Sequence, residues 1–202
     1  MDRQTIIQKV QLKMDEISPY DSGEIVNNSF IEELLDDSVK TLLLKLPGYL
    51  TSPVDMGIAN GTPNTDTKTG YVELPDDFIR LVSFKMTEWT RAVTIPITED
   101  NPLYNLQKNT YLRGKPQKPI VVIRNIYDSS SKKILEYYSV NSSHAIERAL
   151  YVKSDIAENL ATEIIDPLCY QCAADAFTIL EQNDQAKVAL AKVDEFIQLN
   201  TY

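Results

Sequence analysis

The chain is short of the residues that most often carry chemistry. One of its 202 residues is histidine and two are cysteine. Cys169 and Cys172 stand three apart, too few for a disulfide framework, which predicts a reducing, cytoplasmic setting. Glycine is also scarce, at six. Gly61 and Gly114 stand alone, and neither a phosphate-cradling P-loop nor a dinucleotide fingerprint occurs. No apolar run approaches the roughly 20 residues that span a bilayer. The opening MDRQTIIQKVQLKMDEIS alternates charge with apolar residues and lacks the apolar core of a signal peptide. Cations are the minority charge: 20 Lys and Arg face 29 Asp and Glu, a net charge of -9. That balance argues against a surface built to neutralise nucleic-acid phosphates; it favours solubility and keeps DNA from adhering. No internal repeat is visible.

What is present is a folded chain with an ordinary apolar share of 43%. Residues 2–17 carry Ile6, Val10, Met14 and Ile17 at helical spacing, ended by Ser18-Pro19. A polar turn over 21–28 precedes a second helix, for which Ser29 reads as the N-cap and Glu32 completes a capping box. Phe30, Leu34, Leu35, Val39, Leu42, Leu43 and Leu46 form its apolar face, and Pro47-Gly48 stops it. Residues 47–70 are rich in Pro, Gly, Thr and Asn and read as a long loop or arm.

The stretch YVELPDDFIRLVSFKMTEW, Tyr71 to Trp89, begins the β-rich part. It predicts a strand over Tyr71–Leu74, a corner at Pro75-Asp76-Asp77, and a strand from Phe78 to about Met86 covered on much of both faces. Further strands are expected at Ala92–Ile97, at 120–140 as a hairpin turning at Asp128-Ser129-Ser130-Ser131, and at Ala149–Lys153, while Glu99-Asp100-Asn101-Pro102 opens a short helix or turn through Gln107. From Ile156 the period is helical again. Leu160, Ile164, Leu168, Cys172, Ala176 and Ile179 lie on one stripe, and Pro167 either kinks the helix or, with Asp166 as cap, starts a new one. Asn183 or Asp184 reads as the cap of a last helix.

The expected fold is α+β. A helical bundle is built from N-terminal helices (1–46) and C-terminal helices (156–202), with a loop or arm (47–70) and an inserted, mainly antiparallel sheet (71–155).

Each candidate for chemistry has a plainer explanation. Cys169-Tyr-Gln-Cys172 lacks two further zinc ligands and a thioredoxin-like setting, so the pair reads as buried helix residues. His144 follows two serines in a polar loop, but no nucleophile elbow accompanies it, and a solvated loop histidine is expected. The carboxylate pairs Glu32-Glu33, Asp36-Asp37 and Asp76-Asp77 are adjacent in sequence, so their side chains diverge and do not make acid/base dyads. Tyr104, Tyr111, Tyr137, Tyr138 and Tyr151 cluster in the β half beside Lys108, Arg113, Lys115 and Lys118. Core or protein-interface tyrosines suit them better than a base-stacking platform. The residues point to no catalytic, cofactor or metal site.

Read in order, Y-x-x-LPDDFIRLVSFKM, then RGKPQKP before a hydrophobic hairpin, then LCYQCAADAF, the chain resembles the head-to-tail connector proteins of short-tailed bacteriophages. The most specific piece is Leu74-Pro75-Asp76-Asp77-Phe78 followed by Leu81. Asp166-Pro167-Leu168 and the chain length also resemble ring proteins of crAss-like phages. The long loop at 47–70 departs from the connector pattern. The resemblance implies a structural virion protein: an α-helical bundle carrying a β domain, assembled in the host cytoplasm into a dodecameric ring below the portal. It implies as partners other copies of the chain, the portal protein and further tail or ring proteins, with DNA passing through unbound, and no catalytic residues or cofactor. Another tail-tube or head-completion component is the alternative; a small hydrolase using His144 and a nearby serine is the reading from a different class.

Overall fold

A computed structural model describes residues 1–18, 27–64, 66–127, 131–141 and 144–201. The chain is mixed α+β and divides into two compact units, Met1–Ser52 with Ser154–Tyr202, and Pro53–Lys153.

In the first unit α1 (Arg3–Ile17) starts where the Asp2 carboxylate accepts the Thr5 amide at 2.7 Å. It buries Ile6, Ile7, Val10 and Met14, the stripe its spacing predicts. α2 spans Asn28–Lys45, and its cap differs from expectation. Asn27, rather than Ser29, accepts the Phe30 amide at 2.8 Å, so the helix starts two residues early and Glu32 pairs with Arg3 instead of closing a capping box. The turn residues 21–26 lie outside the described residues.

Ala157–Asn159 forms a 3-10 turn before α4 (Thr162–Ile179; the short α3, Pro102–Gln107, belongs to the other unit). α4 runs through Pro167 as one helix, so Asp166 is not a cap; its carboxylate lies 3.5 Å from Lys13 Nζ. Pro167 is itself buried, so packing outweighs the amide it cannot donate. α5 (Asn183–Leu199) begins after Gln182, one residue before the expected cap, without a side-chain cap bond. α4 packs against α1, α2 and α5, using the small residues Cys172, Ala173, Ala174 and Ala176 on buried faces. Ile179 leaves the predicted stripe and is exposed.

A polar thread crosses this apolar packing. Buried Ser38 donates to Asp175 at 2.6 Å, Gln171 donates to the other Asp175 oxygen at 2.9 Å, and Lys45 donates to Gln171 at 2.9 Å. Each buried polar group on α2 and α4 thereby gains a partner, as burial requires.

The second unit holds two sheets, where the sequence reading expects one. The first has the order β1 (Val54–Asp55), β8 (Ile146–Lys153), β4 (Phe78–Met86). The second runs β2 (Thr62–Asn64), β3 (Thr69–Glu73), β7 (Ser131–Tyr138), β6 (Val121–Tyr127), β5 (Ile97–Thr98), and every pairing except the parallel β5–β6 is antiparallel. Residues from both sheets, among them Val72, Leu81, Phe84, Val121, Leu135 and Tyr137, share one core.

Several expectations change here. The Pro75-Asp76-Asp77 corner, closed by the Phe78 amide donating to Pro75 O at 3.0 Å, carries the chain from the five-stranded to the three-stranded sheet. Residues 47–70 do not form a free arm: β1 pairs with β8, β2 pairs with β3, and Asn60 bridges Ala145. The strand expected at Ala92–Ile97 is reduced to its last residue: Val93 only bridges Phe84, Pro96 has no amide to pair, and β5 begins at Ile97. β6 and β7 pair as the expected hairpin, whose tip, 128–130, lies outside the described residues. On β4, bulges shift the register three times, so Leu81, Ser83, Phe84 and Met86 are all buried although they belong to both parities.

Candidate functional site

The residues singled out by sequence are mostly spoken for by the fold. Cys169 and Cys172 are free thiols, both fully buried on α4, and burial pushes each up to about 12. A buried neutral thiol is neither a ready nucleophile nor a ready ligand. Among the described residues no group of three or more His, Cys, Asp or Glu is placed to hold a metal.

His144 is half-buried rather than solvated, and its Nδ1 lies 2.7 Å from the Tyr137 hydroxyl. The serines before it, 142 and 143, lie outside the described residues. The Tyr137 ring fills a slot lined by Gly61 and Gly70, where a Cβ on either glycine would overlap its hydroxyl. That is the reason glycine is needed at both positions.

The carboxylate pairs diverge into separate partnerships. Asp36 and Glu32 both pair with Arg3, Asp37 with Lys40, and Asp77 accepts from Tyr151 at 3.0 Å. The tyrosines divide likewise. Tyr137, Tyr138 and Tyr151 are buried, while Tyr104 is half-buried beneath Lys108 Nζ, 5.2 Å from its ring centre. Tyr111 is 86% exposed.

Two surfaces of the β-rich unit remain. The first is apolar. α3 (Pro102–Gln107), capped by Asn101, exposes Leu103 and Leu106 three residues apart on one face, and the turns after it expose Tyr111 and Leu112. Ile95, before the helix, is 81% exposed. The inner side of the same segment is firmly tied down. Buried Gln107 donates to Leu103 O at 2.8 Å and accepts the Gly114 amide at 2.8 Å, and the Ser139 hydroxyl donates to Gly114 O. Composition and periodicity do not distinguish this segment, because its signal is exposure.

The second is a polar cleft of about 480 Å³ lined in part by Lys68, Tyr104, Lys108, Arg113, Glu136 and Tyr138. Glu136, on its wall, pairs with Arg124 at 2.6 Å, and Tyr138 donates to the other Glu136 oxygen at 2.8 Å. Burial, and then the neighbouring Glu136 charge, hold the Tyr138 hydroxyl well above the usual phenol range. The Glu136 hydrogen bond raises the Arg124 guanidinium further.

No protein-family model matches this chain, and no curated protein matches it either. Among the described residues no helix is long and apolar enough to cross a membrane.

Proposed function

We propose that the chain is a structural subunit of a bacteriophage head-to-tail connector, a portal-to-tail adaptor that closes into a ring and extends the DNA channel. In this reading the helices form a bundle, and the β-rich unit is inserted between α2 and α4. The observation that carries it is the exposed apolar segment Ile95–Leu112, with Leu103, Leu106, Tyr111 and Leu112 presented on a rigidly tied scaffold. Large apolar side chains left exposed along one segment favour a protein interface, and tyrosine and leucine on a fixed frame lose little entropy when covered. Their occupant is a second copy of the chain, in a heterologous contact that repeats until the ring closes.

The net charge of -9 supports the same reading, since a DNA conduit must not grip its cargo. The motif Leu74-Pro75-Asp76-Asp77-Phe78 works here as a corner between sheets, a structural use in keeping with a scaffold protein.

Sedimentation of the purified protein, alone and with portal rings, tests this. A ring-sized species, formed at least when portal is present, is the expected result. A protein that stays monomeric with portal and is absent from purified virions overturns the proposal.

A further inference from the structure

We propose that the cleft beside β7 is an oxyanion site, in which the Arg113 guanidinium binds the phosphate or carboxylate group of a small molecule. The inference is independent of ring assembly. Arg113 lines the cleft and is only 8% exposed. Its buried Nε has no hydrogen-bond partner, and among the described residues its guanidinium makes no ion pair. A guanidinium largely withdrawn from water, with no counter-charge beside it, gains from an anion at the nitrogens that still face the cleft.

The carboxylate in the cleft does not supply it. One Glu136 oxygen is taken by Arg124 at 2.6 Å and the other by Tyr138 at 2.8 Å. That pairing also neutralises Glu136. The remaining charges lining the cleft are Lys68, Lys108 and Arg113 against Asp66, a surplus of positive charge in a protein that is acidic overall.

Arg113 is also held in place. Its amide donates to Asn109 O at 3.0 Å, and the next residue, Gly114, is fixed by Gln107 and Ser139. A Cβ at Gly114 would press on the Ile120 amide at 2.8 Å, so the chain there is close-packed. A planar fork of N–H donors carried on a fixed backbone suits an oxyanion, and about 480 Å³ is the room a small ligand takes.

The test uses the full chain, with inorganic phosphate and succinate as probes against chloride at constant ionic strength. Melting curves and titration calorimetry are the readouts. One or both oxyanions should raise Tm with concentration beyond the chloride control; the better probe tells phosphate from carboxylate. Arg113→Gln should weaken binding about ten- to hundredfold, and Lys108→Ala by only about threefold, as a screened rim charge. Without ligand, Arg113→Gln should not lower Tm, because it removes an unpaired buried charge. Should that variant fail to fold, Arg113→Lys keeps the charge and loses the fork, and must still bind the oxyanion more weakly than the parent. The proposal is overturned if neither oxyanion exceeds chloride, or if the Arg113 variants respond as the parent does.

Discussion

The Tyr137 hydroxyl and Nδ1 of His144 stand 2.7 Å apart, joining the central strand β7 to the approach to β8. The lone histidine of the chain is thus a structural partner for a buried phenol. His144→Ala leaves that hydroxyl without its partner and should cost about 1–3 kcal/mol of stability. Chemical denaturation of the variant measures it, and an unchanged midpoint would contradict the structural role.

The same ring explains two glycines. Gly70→Ala places a Cβ on the Tyr137 hydroxyl, backed by Thr62 O at 2.5 Å, and should destabilise the protein by about 1–3 kcal/mol through overpacking. Combining it with Tyr137→Phe should recover part of that loss, and a double-mutant cycle reads the coupling.

Alkaline pH should weaken the fold through the two thiols before the tyrosine. Burial raises Cys169 and Cys172 from 9.0 to about 12 and Tyr137 from 10.0 to about 12. Each group is neutral when folded, so its contribution is full below its unfolded value and is lost as pH climbs toward the folded one. Denaturation midpoints should therefore fall progressively above pH 9. In Cys169→Ala/Cys172→Ala the fall should begin later, near pH 10. Iodoacetamide should label neither thiol in the native protein except through unfolding.

At the sheet-switching corner, Phe78 stacks on Tyr151 with ring centres 5.8 Å apart, and Tyr151 donates to Asp77 at 3.0 Å. Phe78→Ala should cost roughly 2 kcal/mol, less than a fully buried phenylalanine because Phe78 is half-buried. Asp77→Ala should cost about 1 kcal/mol. Thermal melts of both variants, with assembly assayed alongside, separate folding from association.

The exposed segment supplies the assembly test. Leu106 and Tyr111 are exposed, so Leu106→Asp and Tyr111→Ser should leave stability within about 1 kcal/mol of the parent. They should nevertheless abolish the ring-sized species in sedimentation. Normal assembly by both variants would remove this surface as the contact.

Much of the local structure is legible in the chain itself. The stripe Ile6–Val10–Met14, the α2 stripe around Leu35, Val39 and Leu42, the strand Phe78–Met86, the hairpin of β6 with β7, and the Asn101-Pro102 helix start all follow from patterns spanning a few residues. What only the tertiary structure decided is non-local. Strand partners carry no local signature, so one sheet could not be told from two, nor could Pro75 be placed as the step between them. Residues 47–70 lack periodic apolar pattern because β1 and β2 are short and exposed, and their order comes from pairing with β8 and β3. The Asn27 cap was hidden because Ser29 offers equivalent chemistry two residues on, and backbone geometry chose between them. The two surfaces that matter most were the least legible. Leucine reads as core until exposure shows otherwise, exposure alone decides between core and interface for Tyr111, and nothing in the sequence around Arg113 says that the fold buries its Nε without a partner. Periodicity reports which face of an element is apolar; only packing decides what covers it.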